Sequence, residues 1–223
     1  MTDPSTVLTL AKLASNSYQK KDNFVWFDVI TNGKYKVESE FGWNETGLRG
    51  YVYADSESDI ILLSFKGTSK SILGYEEGTS LNDQLNDNKM FSCCCGGGVF
   101  SKPVCECAFS NNRCGMQCLK KDIRTDRSSY FNQARQIYSH VKRLYPKSSI
   151  WVLGHSLGGA IASLIGVAYN IPAIAFNAPG ERQYAQRLGL VPLQMLNFTE
   201  YLINLPVYHI SMFNYALMFR QRT

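Results

Sequence analysis

The sequence predicts an α/β fold with a mainly parallel sheet, and two features indicate that class. Segments of strand length alternate with segments of helical periodicity between about residue 60 and residue 176, and such alternation requires crossover connections that place strands parallel. In addition, residues 60–65 read IILLSF, a nearly continuous apolar run that is typical of a central strand covered on both faces.

Each element is predicted from a local pattern. Ser5 can cap a helix over residues 6–19, because a hydroxyl accepts hydrogen bonds from the free N–H groups of a first turn. Residues 55–58 read DSES and form a predicted turn between two apolar segments. Further helices are expected at residues 127–144, whose apolar positions recur at helical spacing, and at residues 156–169. The predicted strands cover residues 25–30, 35–39, 48–54, 60–65, 150–153 and 174–176.

Length and composition restrict the possible classes. A chain of 223 residues that is 45% hydrophobic and 13% aromatic can bury a core, so an intrinsically disordered chain is excluded. We therefore assign residues 1–223 to a single domain. The net charge of +5 is accompanied by no groove-reading motif, so nucleic-acid binding is not predicted. Residues 1–20 carry charges and no continuous apolar segment of the kind found in signal peptides.

A cysteine-rich insertion is predicted at residues 70–122. Its cysteines stand among glycines and asparagines, which supply little core, so crosslinks would explain how the segment keeps a shape. We favour disulfides over zinc, because the C-x-x-C pairs of structural zinc sites are missing. The pairing stays open, and the odd number leaves one partner unassigned. Sequons at Asn44 and Asn197 agree with a secretory history. The seven cysteines are Cys93, Cys94, Cys95, Cys105, Cys107, Cys114 and Cys118.

The chemistry is predicted at residues 154–158, which read GHSLG between a predicted strand and a predicted helix. A GxSxG motif in that context is typical of a nucleophile elbow, a sharp turn that exposes its serine. Ser156 is therefore the candidate nucleophile. The N–H of Leu157, at the start of the helix, is the first candidate donor to an oxyanion. The alternative is a Gly-Ser turn without chemistry. No cofactor and no metal site is predicted.

A second oxyanion donor is expected in the loop that follows the central strand. Residues 65–69 read FKGTS, and Thr68 can offer both its backbone N–H and its hydroxyl. The alternative is an ordinary turn at the end of a strand.

These two motifs together carry a resemblance to a known family. GHSLGGA at residues 154–160 with FKGTS at residues 65–69 resembles the class 3 lipases, which have the α/β-hydrolase fold. Within that family the chain is most similar to the fungal autophagic vacuolar lipases, over roughly residues 5–209. The similarity to that branch is carried by TVLTLAK at residues 6–12, LNDNKMFSCCC at residues 85–95, the later cysteines and APG at residues 178–180.

The resemblance implies a function and a location. It implies a glycosylated enzyme that travels through the endomembrane pathway to the vacuole or multivesicular body lumen. There it would hydrolyse carboxylic esters of phospholipids and acylglycerols at a lipid interface, so that autophagic bodies are lysed. Ser156 would be the nucleophile, Thr68 and Leu157 the oxyanion donors, and residues 69–91 a lid. The oligomeric state is not indicated.

The sequence departs from the family pattern after the nucleophile. No Asp follows Ser156, and the later acidic residues are Glu181 and Glu200. In the family the acid belongs near the position of Tyr215, and the base histidine lies beyond the last residue of this chain. His209 would then be a neighbour of the acid position. Because a serine hydroxyl needs an adjacent base, we expect the chain to be weakly active or inactive and C-terminally incomplete.

We assign no catalytic role to the remaining histidines or to the last residues. His155 is expected to point away from Ser156, and His140 to lie at the surface of its helix. Residues 210–223 contain apolar and basic side chains, with no acid and no turn residue, and we interpret them as an aberrant ending such as a changed reading frame or a retained intron. Two other functions stay open: a non-catalytic lipid-associating fragment, and an esterase or peptidase of the same fold.

Overall fold

A six-stranded sheet forms the centre of the protein. The computed structural model describes residues 3–28, 35–69, 78–92, 103–109 and 113–190, together with the backbone of residues 207–210. Within these ranges the strand order is β1-β2-β3-β6-β7-β8, where the first two pairings are antiparallel and the last three are parallel. The predicted α/β class with a mainly parallel sheet is therefore confirmed.

The elements follow the predicted order, with additions in the insertion and near the end. The helices are α1 (Pro4–Asn16), α2 (Ser80–Phe91), α3 (Met116–Thr125), α4 (Tyr130–Leu144), α5 (Leu157–Tyr169) and α6 (Arg182–Leu188). The strands are β1 (Tyr35–Phe41), β2 (Gly50–Asp55), β3 (Ile60–Phe65), β4 (Ala108–Phe109), β5 (Arg113–Cys114), β6 (Ser149–His155), β7 (Ala173–Phe176) and β8 (Val207–Ile210).

Helices cover both faces of the sheet, and strand β3 shows why. Its alternate residues Ile61, Leu63 and Phe65 belong to the core that packs against α4 and α5. Leu62 faces the opposite way, into a second core that packs against α1. Side chains of a strand alternate between faces, so a strand buried on both faces must be apolar throughout. The apolar run in the sequence is therefore explained by the central position of β3.

The first helix begins earlier than predicted, and its cap is Asp3 instead of Ser5. The Asp3 carboxylate accepts hydrogen bonds from the backbone N–H of Ser5 and of Thr6, at 3.4 and 2.9 Å. Pro4 occupies the first helical turn, where its missing N–H costs nothing. A carboxylate at this position also complements the helix dipole, which favours Asp3 over Ser5 as the capping residue.

The strand predicted at residues 25–30 is wrong over its described part. Residues 25–28 form a turn and an irregular segment, while residues 29 and 30 lie outside the described residues. The side chain of Asn16 takes the place of a neighbouring strand: it donates to the Phe27 carbonyl oxygen at 2.8 Å and accepts from the Phe27 N–H at 2.9 Å. Apolar residues therefore end up in a loop because a side-chain amide satisfies their backbone.

The cysteine-rich insertion holds a small core of its own. Cys107 and Cys118 are joined by a disulfide that ties α3 to the segment before β4. Cys105 and Cys114 each take part in a further disulfide. Cys105, Cys107 and Leu119 pack together. Disulfides are thus confirmed for these four cysteines, and the other three lie outside the described residues.

Two helices of the predicted insertion, α2 and α3, were not expected from the sequence. Both belong to the main body, because Met90 of α2 and Ile123 of α3 are buried in the core below α4. The described helices do not include one whose length and apolar content would let it cross a membrane.

Replacing Leu62 by Ala is expected to destabilise the fold by about 2–5 kcal/mol, since the fully buried side chain would leave a cavity between the sheet and α1. Leu144→Ala is the matched control, because Leu144 is 60% exposed and its loss should cost less than about 0.5 kcal/mol. Urea unfolding of both variants measures the difference. Equal losses in the two variants would contradict the assignment of Leu62 to the core.

Candidate functional site

Ser156 occupies a strained turn between strand β6 and helix α5. Its backbone has φ 55° and ψ −127°, a conformation that L residues rarely adopt. Its N–H donates to the Phe176 carbonyl oxygen at 3.0 Å, and its own carbonyl oxygen accepts from the Ala160 N–H at 3.1 Å. The turn is therefore held from the neighbouring strand on one side and from the helix on the other. This is the geometry of a nucleophile elbow.

The two glycines of the motif make this turn sterically possible. A Cβ atom on Gly158 would lie 2.2 Å from the Phe65 carbonyl oxygen. A Cβ atom on Gly154 would lie 2.4 Å from the carbonyl oxygen of Gly158. The Phe65 oxygen belongs to the sheet and the Gly158 oxygen to helix α5, so a side chain at either position would displace the helix from the strands.

The same close approach brings the loop after β3 to the elbow. Strands β3 and β6 are parallel and in register, with Phe65 opposite Gly154, so Thr68 and Ser156 follow neighbouring strands at the same edge of the sheet. Leu157 is the first residue of α5 and is fully buried. The structure thus places the three predicted site residues, Ser156, Leu157 and Thr68, at one edge of the sheet.

The hydroxyl of Thr68 already has a partner. It donates to Asp87 Oδ2 at 2.7 Å, and Asp87 belongs to helix α2. Burial raises the pKa of the Asp87 carboxyl, and the hydrogen bond from Thr68 offsets part of that rise. Because the hydroxyl hydrogen points at Asp87, the backbone N–H of Thr68 is the better candidate for the predicted donor.

A buried lysine fixes the loop that carries Thr68. Lys66 is 2% exposed, and its ammonium group forms an ion pair with Asp83 of α2 at 2.9 Å. It also donates to the Gly67 carbonyl oxygen at 3.0 Å, to Thr79 Oγ1 at 3.1 Å and to Ser69 Oγ. All these partners lie within the loop or at the start of α2, so the charge joins the two segments.

Asp83 completes this network from the side of α2. One carboxylate oxygen accepts from the Ser69 N–H at 2.8 Å, and the other accepts from the Tyr130 hydroxyl at 2.7 Å. Burial raises the pKa of Tyr130, and Asp83 raises it further, so its hydroxyl stays protonated and donates. A buried carboxylate with this many donors is fully satisfied, as a buried charge must be.

The side chain of His155 is hydrogen-bonded to Tyr18 and not to Ser156. Its Nδ1 is hydrogen-bonded to the Tyr18 hydroxyl at 2.8 Å, and the same hydroxyl lies 3.3 Å from the His155 carbonyl oxygen. Burial lowers the pKa of His155, while burial raises the pKa of Tyr18. A neutral imidazole bonded to a neutral phenol therefore joins the end of α1 to the elbow.

Within the described residues, no hydrogen bond joins the Ser156 side chain to a histidine or a carboxylate. His140 is exposed on α4. The backbone of His209 pairs with Ala175 in strand β8, and its side chain lies outside the described residues. So do Glu200 and residues 211–223, which include Tyr215 and nearly all of the predicted aberrant ending.

The sequence is also similar to known proteins. Over 193 residues the chain is 41% identical to the protein named "Putative lipase ATG15" of Cryptococcus neoformans, a match that covers 85% of this chain and 36% of the relative. The chain is thus similar to these lipases over most of its own length. The protein of the same name from Eremothecium gossypii is 39% identical over 197 residues, with coverage of 85% and 36%. The chain thus spans about a third of the length of the curated relatives that it matches.

Two broader comparisons give further similarities. A family model described as a Tle-like phospholipase domain, of the phospholipase-like type, matches residues 119–189, which contain the elbow. Among solved structures, the Lip2 lipase of Yarrowia lipolytica is 18% identical with a TM-score of 0.47, covering 94% of this chain and 71% of that one. The sheet itself confirms the α/β class, and the relatives and the family model carry lipase and phospholipase names, as the sequence motifs indicated.

Sequence reasoning missed the residues that support the site. No role was assigned to Tyr18, Asp83 or Asp87, although Asp87 stands in the segment 85–95 that carries the resemblance, and they reach the site only because α1 and α2 pack beside it. A lysine directly after a fully apolar strand was a usable signal, because such a position is buried and a buried ammonium needs a nearby carboxylate.

Removing the charge of Lys66 by Lys66→Met is expected to destabilise the protein by about 3–5 kcal/mol, because Asp83 would keep a buried charge without its counter-ion. Adding Asp83→Asn should recover part of that loss, so the two effects are not additive. The surface pair of exposed Lys36 and half-buried Glu38, 2.7 Å apart, supplies the control, and Lys36→Met should cost less than about 1 kcal/mol. Chemical unfolding of Lys66→Met, Asp83→Asn, the double variant and Lys36→Met measures these values. Additive effects of the Lys66 and Asp83 changes would refute the coupling.

The pH dependence of stability should carry a contribution from His155. Its folded-state pKa is lowered from 6.5, so the unfolded chain takes up the proton first as the pH falls. The stabilisation is present above pH 6.5 and is lost below it, as the pH falls through the folded-state pKa. We expect the melting temperature of the native chain, relative to His155→Gln, to fall between about pH 7.5 and about pH 5. A difference that stays constant with pH would show that His155 is not linked to folding.

Proposed function

We propose that the protein hydrolyses carboxylic esters of glycerolipids with Ser156 as the nucleophile. The observation that carries the proposal is the strained backbone of Ser156 between β6 and α5, since such strain persists where it serves a function. The lipase name of the relatives supports the ester substrate. Phospholipids and acylglycerols are both within this proposal.

The reaction would follow the acyl-enzyme route. Ser156 Oγ attacks the ester carbonyl carbon and gives up its proton, and the carbonyl oxygen becomes an oxyanion. The N–H groups of Leu157 and Thr68 then donate to the oxyanion, in a position that the register of β3 with β6 supports. The alcohol leaves with a proton, and water releases the fatty acid from Ser156.

The proton of Ser156 needs an acceptor, and the described residues include no histidine or carboxylate bonded to it. We therefore propose that this 223-residue chain reacts slowly, with the oxyanion donors and substrate binding as its main contributions. Strand β8 runs parallel to β7, so its last residue, Ile210, lies at the same edge of the sheet as Ser156. A catalytic acid at that edge would lie on the side of the nucleophile.

The proposed setting is the lumen of the vacuole or of a multivesicular body, reached through the endomembrane pathway. The disulfides support it, because they persist in oxidising compartments. The sequon residue Asn44 is exposed and open to glycosylation, while Asn197 lies outside the described residues. The proposed role there is the lysis of autophagic bodies, which the ATG15 name of the relatives supports.

Labelling by a soluble fluorophosphonate probe tests the proposal. The 223-residue chain should be labelled slowly, the labelling should disappear in Ser156→Ala, and it should persist in the control Ser139→Ala on the outer face of α4. Imidazole added to the buffer should accelerate labelling, because it supplies the missing base. The rates of hydrolysis of fluorogenic glycerolipid esters should rank the variants in the same order.

Two outcomes would overturn parts of the proposal. Labelling that survives Ser156→Ala would refute Ser156 as the nucleophile. Fast labelling without imidazole would refute the slow reaction and would make Glu200 and His209 the residues to replace next. A chain that turns over soluble esters but no glycerolipid would favour an esterase, and one that binds lipid without any labelling would favour a non-catalytic lipid-associating fragment.

A further inference from the structure

The loop after helix α1 presents apolar side chains to solvent. Phe24 is 97% exposed, and Val25 and Phe27 are each 44% exposed. Lys20 and Lys21 precede them and are exposed as well. A nearly fully exposed Phe is costly to keep in water, and neighbouring exposed apolar residues commonly mark an interaction site. We call residues 19–28 the aromatic loop.

Several backbone groups of the aromatic loop have partners within the protein. The Val25 N–H donates to Asn23 Oδ1 at 3.1 Å, and the Trp26 N–H donates to the Asn23 carbonyl oxygen at 2.9 Å. The Gln19 side chain donates to the Val25 carbonyl oxygen at 3.0 Å, and Asn16 bonds both backbone groups of Phe27. Backbone groups that have partners inside the protein can enter an apolar medium without a large desolvation cost.

The base of the loop is anchored in the protein. The Trp26 ring meets the fully buried Tyr51 ring edge to face, with centroids 5.1 Å apart, and the Tyr51 hydroxyl donates to the Gln19 carbonyl oxygen at 2.9 Å. One aromatic residue of the loop is thus packed against the sheet, while Phe24 at the tip projects. The aromatic loop therefore has a packed base and an exposed apolar tip.

The loop lies at the edge of the sheet that carries the candidate nucleophile. The preceding residues Ser17 and Tyr18 contact the ends of the two central strands: Ser17 Oγ is 2.6 Å from Ser64 Oγ, and the Tyr18 hydroxyl is 2.8 Å from His155 Nδ1. Ser156 follows His155 directly. The aromatic loop therefore begins beside the edge of the sheet that carries Ser156.

We propose that the aromatic loop inserts Phe24 and its apolar neighbours into the surface of a lipid bilayer and so holds the Ser156 edge against the substrate. Lys20 and Lys21 would contact anionic headgroups, a contribution that Asp22 and Asp28 reduce. Apolar insertion is therefore the main term, and binding should depend on salt only weakly. The inference rests on the proposed function insofar as the bilayer supplies the ester.

Vesicle co-sedimentation tests the inference, with vesicles of phosphatidylcholine containing phosphatidylserine. Phe24→Ser should weaken binding about 10-fold, the factor expected from the loss of one inserted aromatic side chain. Leu144→Ser is the matched control: Leu144 is 60% exposed at the C-terminal end of α4, near the start of β6 and away from Ser156, and the change should leave binding unaltered. Lys20→Gln with Lys21→Gln should weaken binding to these vesicles and not to phosphatidylcholine alone.

A second variant reports insertion directly and does not depend on a loss. Phe24→Trp should retain binding, shift its fluorescence to shorter wavelength on vesicles and be quenched by brominated acyl chains. Equal binding of native chain and Phe24→Ser, or no quenching of the tryptophan in a vesicle-bound protein, would overturn the inference. Vesicles that bind neither the native chain nor Phe24→Trp would overturn it as well.

Failure of the proposed function would look different. Ser156→Ala should bind vesicles like the native chain, and Phe24→Ser should react with the soluble fluorophosphonate at the native rate. Loss of Ser156 labelling with intact, Phe24-dependent vesicle binding would reject the chemistry and keep the lipid-binding loop. Intact labelling of Ser156, with equal vesicle binding of the native chain and Phe24→Ser, would reject the lipid-binding loop and keep the chemistry.

Discussion

The site depends on one close approach, the contact between the start of helix α5 and the end of strand β3. The Phe65 carbonyl oxygen lies where a side chain on residue 158 would be, so the helix, the central strand and the loop after it meet with no space between them. The strain of Ser156 is stable only because this packing leaves the turn no alternative path. Apolar side chains on both faces of β3 supply the free energy that holds the three segments together.

Polar groups are buried next to this contact, and each has a partner. Lys66 and Asp83 neutralise each other, and both bond to the loop that carries Thr68. The paired phenol of Tyr18 and imidazole of His155 close the other side. In a low-dielectric environment such groups are costly alone and rigid when paired, so they fix the loop after β3 beside the turn at Ser156. This rigid region contains the residues that the proposed reaction would use.

The parts of the structure around the sheet differ in what stabilises them. The insertion has a small core closed by disulfides, whereas the aromatic loop depends on side-chain amides that bond its backbone. Covalent crosslinks hold the insertion, which also contains α3, β4 and β5, whereas side-chain hydrogen bonds hold the aromatic loop. The aromatic loop keeps Phe24 exposed to solvent.

The sequence by itself determined the α/β class, the order of the main elements, the elbow at Ser156 and the tendency of the cysteines to form disulfides. Apolar periodicity and the GxSxG motif are local signals, so they survive without knowledge of the partners. Only the tertiary structure decided that Asp3 caps the first helix, that residues 25–28 form a loop, and that Asp83, Asp87 and Tyr18 support the site. These outcomes depend on hydrogen bonds between segments far apart in the chain, such as the pair of Tyr18 and His155, and no local pattern records which distant group will satisfy a buried donor.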